Sequence, residues 1–351
     1  MSTSVLPLRI TILIFFFLLI ISENVFSSNI YYRAGCSILD EKRNLIRQYA
    51  GTYCAFLPDG SFLQYLLGQK RLSRLDKNGV ELWHRNLMVH HQIKITKDMH
   101  SVYTLTAEVI NSDLCKVRHD ILEILDLKTG KTKFKWNVKD HIAEFSQKKG
   151  YYTTFFTRWG GGNFGDYQCE VTHVNSIDEI SQNLLSEKIN AFSAGNFVVN
   201  LQGLQHIIIL DNKLKNVLWK FYVGMKHDVH DVQVLSSGEV LTYNNSGNFL
   251  ENGILLKTIN PENKLVTWQF PEVFQEQFVG PSNGGVQIIG DKVLFNANSQ
   301  ELGGSVHMID RKTGRQIWSY SFEQKNERGV PFILQEVKSE NLNKFLSLNK
   351  L

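Results

Sequence analysis

The chain has 351 residues, of which 43% are hydrophobic and 21% charged. That balance suits a protein with a large core and excludes a disordered chain, a collagen-like fibre and a polytopic membrane protein. Thirty-eight basic against 34 acidic residues leave a formal charge of +4, too small to point to a nucleic-acid partner or to a coat on anionic membranes.

Taken in chain order, the first element is Ile10 to Ile21, an uncharged apolar run preceded by Arg9 and followed by the small-residue stretch Val25-Phe-Ser27. A run of this length fits the hydrophobic region of a secretory signal and falls short of the roughly 20 residues that span a bilayer. Residues 1–28 are therefore expected to be a signal peptide or a retained N-terminal membrane anchor. The rest is expected to be exported, periplasmic or secreted, touching the membrane only through that segment. Residues 29–50 read as a short segment with helical spacing over Ser37 to Tyr49, 51–335 as the folded body, and 336–351 as a tail with helical spacing near Glu340 to Leu346. Another helical pattern covers Ile177 to Lys188. Export allows disulfides. Cys36, Cys54, Cys115 and Cys169 contain no Cys-x-x-Cys spacing, which argues against zinc ribbons and thioredoxin-type redox work. Three complete pairings are open, and buried thiols are the alternative.

Through the body, a turn carrying Asp or Asn and often Gly recurs, followed by a short apolar run ending on Trp. The copies are Asp76 to Trp83, Asp126 to Trp136, Asp211 to Trp219, Asn260 to Trp268 and Asp310 to Trp318. Successive Trp residues stand 53, 83, 49 and 50 positions apart. The long interval has room for a degenerate copy, expected around Ser176 to Leu184. A second recurring element is a Gly or Asp turn leading into β-branched and aromatic residues, as at Gly60, Gly195, Gly238 and Gly290. Short strands with turn signals every 8–12 residues argue for an all-β fold. A multi-strand repeat near 50 residues reads as a propeller blade, which buries both faces only by stacking on neighbours around an axis. Roughly 300 residues after the leader divide into six such units, so the expectation is a single six-bladed β-propeller of four-stranded blades. The repeated Trp side chains are read as packing blade on blade.

Gly160 to Gly165 matches G-x-G-x-x-G, but Asp166 to Thr172 continues as a strand where a pyrophosphate site needs a helix, so this is read as a loop. No bound cofactor is expected. The histidines carry more information. His90 and His91 follow the first Trp repeat, His173 sits in Thr172-His-Val-Asn175-Ser176, and His230-Asp231 opens another strand. In a propeller the innermost strand of each blade lines the central channel, so these imidazoles are candidates to converge there as nucleophile, acid or base. The competing reading of each is a hydrogen-bonded turn residue. His227 and His230 point to opposite faces of an extended strand, so a shared metal would need a bend, and no metal site is expected.

The order and spacing of Val89-His90-His91-Gln-Ile93, Thr172-His173-Val-Asn175-Ser176, the stretch from His230-Asp231 through Gly238 to Asn244-Asn245, and Gly284-Gly285 to Phe295 resemble the arylsulfotransferase family of exported β-propeller enzymes. The resemblance covers roughly Ala55 to Tyr320. It implies sulfuryl transfer from an aryl sulfate to a phenolic acceptor through a sulfo-histidine, without a nucleotide donor. His230 matches the family's nucleophile, and His173 and His90 or His91 its assisting histidines. Cationic donors would hold the charge developing on oxygen. The family also places an Arg on the strand after the His-x-Asn segment. Here that strand reads Phe197-Val-Val-Asn200-Leu-Gln202-Gly203, and no Arg lies between Arg158 and Arg311. An uncharged amide lacks the two-pronged grip of a guanidinium, which leaves Arg158 or Lys226 to reach in from loops. The repeat also resembles quinoprotein-like propellers, without the calcium-type carboxylates or adjacent cysteines of a quinone site. The alternative to an enzyme is a catalytically inactive propeller, a scaffold or ligand-binding module that meets a protein partner or glycan on a propeller face or in the channel.

Overall fold

In a computed structural model of the chain, the residues described are 31–34, 36–40, 42, 45–113, 115–145, 169–170, 172–224, 229–244, 255–272, 284–299, 303–322 and 334–337. The leader, Arg158, the loop from Gly160 to Gly165, Lys226, His227, Asn245 and the pattern near Glu340 to Leu346 lie outside them.

The strands fall into six sheets. Three short strands open the chain: β1 (Tyr31–Ala34), β2 (Ser37–Leu39) and β3 (Leu45–Gln48). Blade I follows as β4 (Tyr53–Phe56), β5 (Phe62–Leu66), β6 (Arg71–Leu75) and β7 (Glu81–Asn86). Blade II is β8 (Met88–Ile95), β9 (Ser101–Asn111), β10 (Lys116–Asp126) and β11 (Thr132–Asn137), with the two-residue β12 (Cys169–Glu170) added parallel to β10. Blade III is β13 (Val174–Glu179), β14 (Phe197–Leu201), β15 (His206–Leu210) and β16 (Val217–Tyr222). Blade IV is β17 (Val229–Val234), β18 (Val240–Asn244), β19 (Leu256–Ile259) and β20 (Val266–Phe270). Blade V is β21 (Val286–Ile289), β22 (Lys292–Ser299), β23 (Gly303–Asp310) and β24 (Gln316–Phe322). Finally β25 (Leu334–Val337) pairs with β1, giving a sheet ordered β25-β1-β2-β3 from both ends of the described chain.

Burial explains the sequence pattern. The middle strands β14 and β15 are buried along their whole length, between two neighbouring sheets, and accordingly read as continuous apolar runs. The last strand of a blade lies outermost: β7 is largely exposed and β16 half-buried, with no fully buried residue in either. Apolar clusters join successive sheets. Leu63 and Tyr65 of blade I pack with Val89 and Val102 of blade II, and Leu105 and Leu122 with Val199 and Leu201 of blade III. Ile207 and Ile209 meet Val232 and Val240 of blade IV, and Tyr243 meets Phe295 of blade V. Leu294 and Met308 then meet Leu39, and Ile38 meets Phe62, so the composite sheet packs between blades V and I.

The all-β propeller expectation is met, but with five blades of consecutive strands among the described residues rather than the expected six. Five sheets are units of consecutive strands, whereas the remaining one is assembled from both ends. The helical pattern over Ser37 to Tyr49 is instead β2 and β3, because their apolar residues have flat neighbouring sheets to cover. Body and tail do not part at 335 and 336 either, since β25 crosses that point. The helical pattern over Ile177 to Lys188 resolves into the end of β13 followed by turns. No extra blade occupies Ser176 to Leu184. The described residues of the long Trp interval belong instead to a 3-10 turn (Val138–His141), the four-residue helix α1 (Ile142–Phe145), β12, and the strands β13 to β16 themselves. All four cysteines are paired, Cys36 with Cys54 and Cys115 with Cys169, which removes the buried-thiol alternative. Among the described residues no helix is long and apolar enough to cross a membrane.

The Asp turns place the Trp residues. Asp126 Oδ1 accepts from Thr129 N and Oγ1, and Gly130 turns the chain at φ +69°. Trp83 of the preceding blade lies directly on that glycine and donates Nε1–H to Leu127 O at 2.9 Å.

Candidate active site

The first strands of blades II, III and IV lie against one another. Side chains reaching to the neighbouring backbone tie them: Gln92 donates to Ile177 O, Asn175 and Asn200 both donate to Val229 O, and Gln233 donates to Val286 O. Each of the three strands loses register with its partner near its start, past His91 and Gln92 in β8, past Asn175 in β13 and past His230 in β17. The shifts fall between His90 and Ile93, Val174 and Ser176, and Val229 and Asp231, whereas β4 and β21 pair with their partners without one. A bulge leaves one residue unpaired and re-aims its side chain. His91 within the first of these shifts and His173 just ahead of β13 take φ values of +61° and +37°, a conformation uncommon outside glycine that persists only where the surroundings impose it.

The bulges bring the four sequence-predicted histidines together. His91 stands in the middle, its ring centroid 4.9 Å from that of His90, 5.7 Å from His173 and 5.5 Å from His230. Hydrogen-bond partners fix the tautomers. His90 Nε2 faces two acceptors, Thr106 O and Asp120 Oδ1, both at 3.2 Å, and so carries the hydrogen. Its Nδ1 then accepts from His91 Nδ1–H at 2.6 Å. His173 donates Nδ1–H to Glu170 Oε2 at 2.9 Å, and His230 donates Nδ1–H to Gly284 O at 2.6 Å. In His230 this leaves the Nε2 lone pair, which has no hydrogen-bond partner among the described residues.

Burial holds His230 down to about 4, against the opposing pull of its bond to Gly284. Burial likewise lowers His90 and His91. Arg118 adds to the effect on His90, and the imidazoles of His90, His230 and His173 add to that on His91. These three rings are therefore neutral near pH 7. Asp231, next to the nucleophile candidate, is raised to about 6 by burial although it accepts from Val232 N and Val286 N.

Sequence reading did not find the groups behind the histidines. Asp120 of β10 accepts from Arg118 Nη2 at 2.8 Å, His90, Thr172 Oγ1 and Val174 N. Burial alone would raise this carboxyl, but Arg118, His90 and the backbone donor hold it well below the usual range. Arg118 Nη1 also pairs with Glu170 Oε1 at 3.0 Å. Tyr53 of blade I accepts His91 N–H at 3.1 Å, and burial pushes its phenol up to about 12. The available signal was an Arg and an Asp two residues apart in a strand otherwise apolar enough to be buried, bracketed by Cys115. Asn200, on the strand where an arginine was sought, points its amide to Val229 O. Among the described residues no group of three or more His, Cys, Asp or Glu is arranged to hold a metal ion. The arrangement offers an uncharged nucleophilic nitrogen, neighbouring imidazoles that can pass a proton, and buried carboxylates that orient them.

Residues 55–323 match the family model described as arylsulfotransferase (ASST). Among solved structures, a protein of unknown function from Bacteroides caccae is similar at a TM-score of 0.54 and 12% identity, over 88% of this chain and 99% of that one. BamB from Moraxella catarrhalis gives a TM-score of 0.40 at 13% identity over 84% and 70% of the two chains. The β-propeller domain of Cps50 (Swd1) from Myceliophteria thermophila gives 0.48 at 10% over 84% and 87%. At 12% identity the first of these likenesses speaks for the fold alone. No curated protein matches the sequence.

Proposed function

The chain belongs to the arylsulfotransferase (ASST) family, and on that premise we propose that it transfers a sulfuryl group from an aryl sulfate to a phenolic acceptor through His230. The observation that carries this reading is the state of that ring: Nδ1–H fixed on Gly284 O, Nε2 bearing the lone pair, and a pKa near 4 that keeps it neutral. In the first half-reaction His230 Nε2 attacks sulfur, the N–S bond forms, the S–O bond to the aryl group breaks, and the leaving phenolate takes the Nε2 proton of His173, which enters this step as the imidazolium and keeps Nδ1–H on Glu170. In the second, an acceptor phenol returns a proton to His173, its oxygen attacks sulfur, and the N–S bond breaks. Two easier displacements replace one. His90 and His91 complete the imidazole array, their own N–H groups engaged by Asp120 and by His90 respectively, and so hold the ring cluster in place around His230.

The proposed setting is an exported propeller, cleaved from its leader or anchored by it. Two disulfides support an oxidising compartment. In this reading the composite sheet serves as a sixth blade closing the ring, supported by its packing against blades V and I.

One observation favours a second reading. Asn200 occupies the strand where the resemblance implies an arginine, and Arg118 is already engaged by two carboxylates. A propeller that binds a ligand or protein partner without catalysis accounts for that. Incubating the mature protein and a His230→Ala variant with a chromogenic aryl sulfate and a phenol separates the two. Transfer requires phenol release by the wild type alone, with a sulfo group on the His230 peptide. Equal background rates leave the binding module.

A further inference from the structure

We infer that Arg118 is a positioning residue, which ties His90 and His173 of two different blades into one rigid array through the carboxylates of Asp120 and Glu170. The inference rests on the transfer reading only for what the array is used for; the positioning itself stands on geometry.

Arg118 and Asp120 are two apart on β10 and so share a face of the sheet. Asp120 Oδ1 takes Arg118 Nε and Nη2 at 3.1 and 2.8 Å, and the same oxygen faces His90 Nε2. On the other side of the guanidinium, Nη1 meets Glu170 Oε1, while Glu170 Oε2 holds His173 Nδ1–H. Guanidinium and carboxylates are all but fully buried, with side-chain exposures of 3%, 0% and 2%. Glu170 reaches this position through β12, whose register sets Cys169 opposite Val117 and Glu170 opposite Arg118, with the Cys115–Cys169 bond one step further along. Thr172 and Val174 then dock on Asp120 Oδ2, one on either side of His173 in the chain. These side-chain contacts tie the His173 segment to β10, while Gln202 N and Gly203 N donate to His173 O and Thr172 O from the far side. A planar guanidinium spans two carboxylates with fixed angles, which an ammonium cannot do.

The test compares wild type, Arg118→Lys and Glu170→Ala by circular dichroism, by nitrogen-resolved NMR of the imidazoles without substrate, and by aryl sulfate turnover. In a folded Arg118→Lys protein, the His90 and His173 signals should move from single tautomers toward mixtures while those of His230, held by Gly284 O, stay in place. Turnover should fall in kcat about 10- to 100-fold with little change in KM, as expected for misplacement of reacting groups. Unchanged His90 and His173 tautomers in that protein would overturn the inference. If Arg118→Lys does not fold, Glu170→Ala decides: His173 alone should lose its fixed tautomer, and an unaltered His173 signal overturns the inference. A wild type without turnover refutes sulfuryl transfer, yet the NMR comparison still decides whether Arg118 positions the rings.

Discussion

Replacing His230 by Gln should change how stability depends on pH. The ring titrates near 4 in the folded protein because it is buried, against about 6.5 in an unfolded chain. The unfolded chain therefore takes up the proton first on acidification. The stability this ring contributes is complete above the unfolded value and is lost as pH falls toward 4. Two and a half pKa units correspond to about 3 kcal/mol, of which about 2 kcal/mol is lost between pH 7 and pH 5. The adjacent Asp231 acts with the opposite sign. Its folded value of about 6 lies above the unfolded one, so its contribution is present at low pH and fades as pH rises through 6. In the wild type the two offset one another; in His230→Gln the Asp231 dependence remains and that of His230 is gone. The variant, compared with wild type, should gain about 2 kcal/mol on going from pH 7 to pH 5. Urea denaturation of the disulfide-intact proteins at both pH values measures this, and an NMR titration reads the ring directly. A His230 signal titrating near 6.5, or parallel pH profiles for the two proteins, would refute the reasoning.

Four further outcomes are expected. Gly130→Ala should cost about 2–3 kcal/mol and lower the melting temperature, because the residue sits at φ +69° and its Cβ would lie 2.7 Å from the Trp83 ring. Gly314→Ala, at φ +66° with its nearest side-chain atom 3.8 Å away, should cost only about 1 kcal/mol in the same thermal melt. Replacing Cys36 and Cys54 together by Ser frees the composite sheet from blade I and should lower stability by about 3 kcal/mol in a denaturant titration. Tyr65→Phe should cost about 1–3 kcal/mol by the same titration, because it strands the buried Val89 N–H that the hydroxyl now accepts at 3.1 Å.

What the sequence determined by itself was the repeat and the histidines. Asp-turn and Trp copies are legible because each blade must present the same turn and the same aromatic to its neighbour, so one local rule is written five times. The chemistry of imidazoles at strand starts was legible for the same reason: a polar ring in an apolar strand needs an explanation. Other features were beyond a local reading. Apolar residues in Ser37 to Tyr49 fit a helix or a strand equally well, and only pairing beside β1 and the flanks of blades I and V select strand. Cys115 and Cys169 are 54 positions apart, and their bond matters because β12 lies parallel to β10, a non-local pairing. Whether His91 and His230 face their neighbours depends on extra residues in β8 and β17, which sequence periodicity cannot register. Arg118 became relevant only when Glu170 was brought to it and to its β10 neighbour Asp120 from a distant stretch of chain, since a charge can be buried only where tertiary contacts supply its partners.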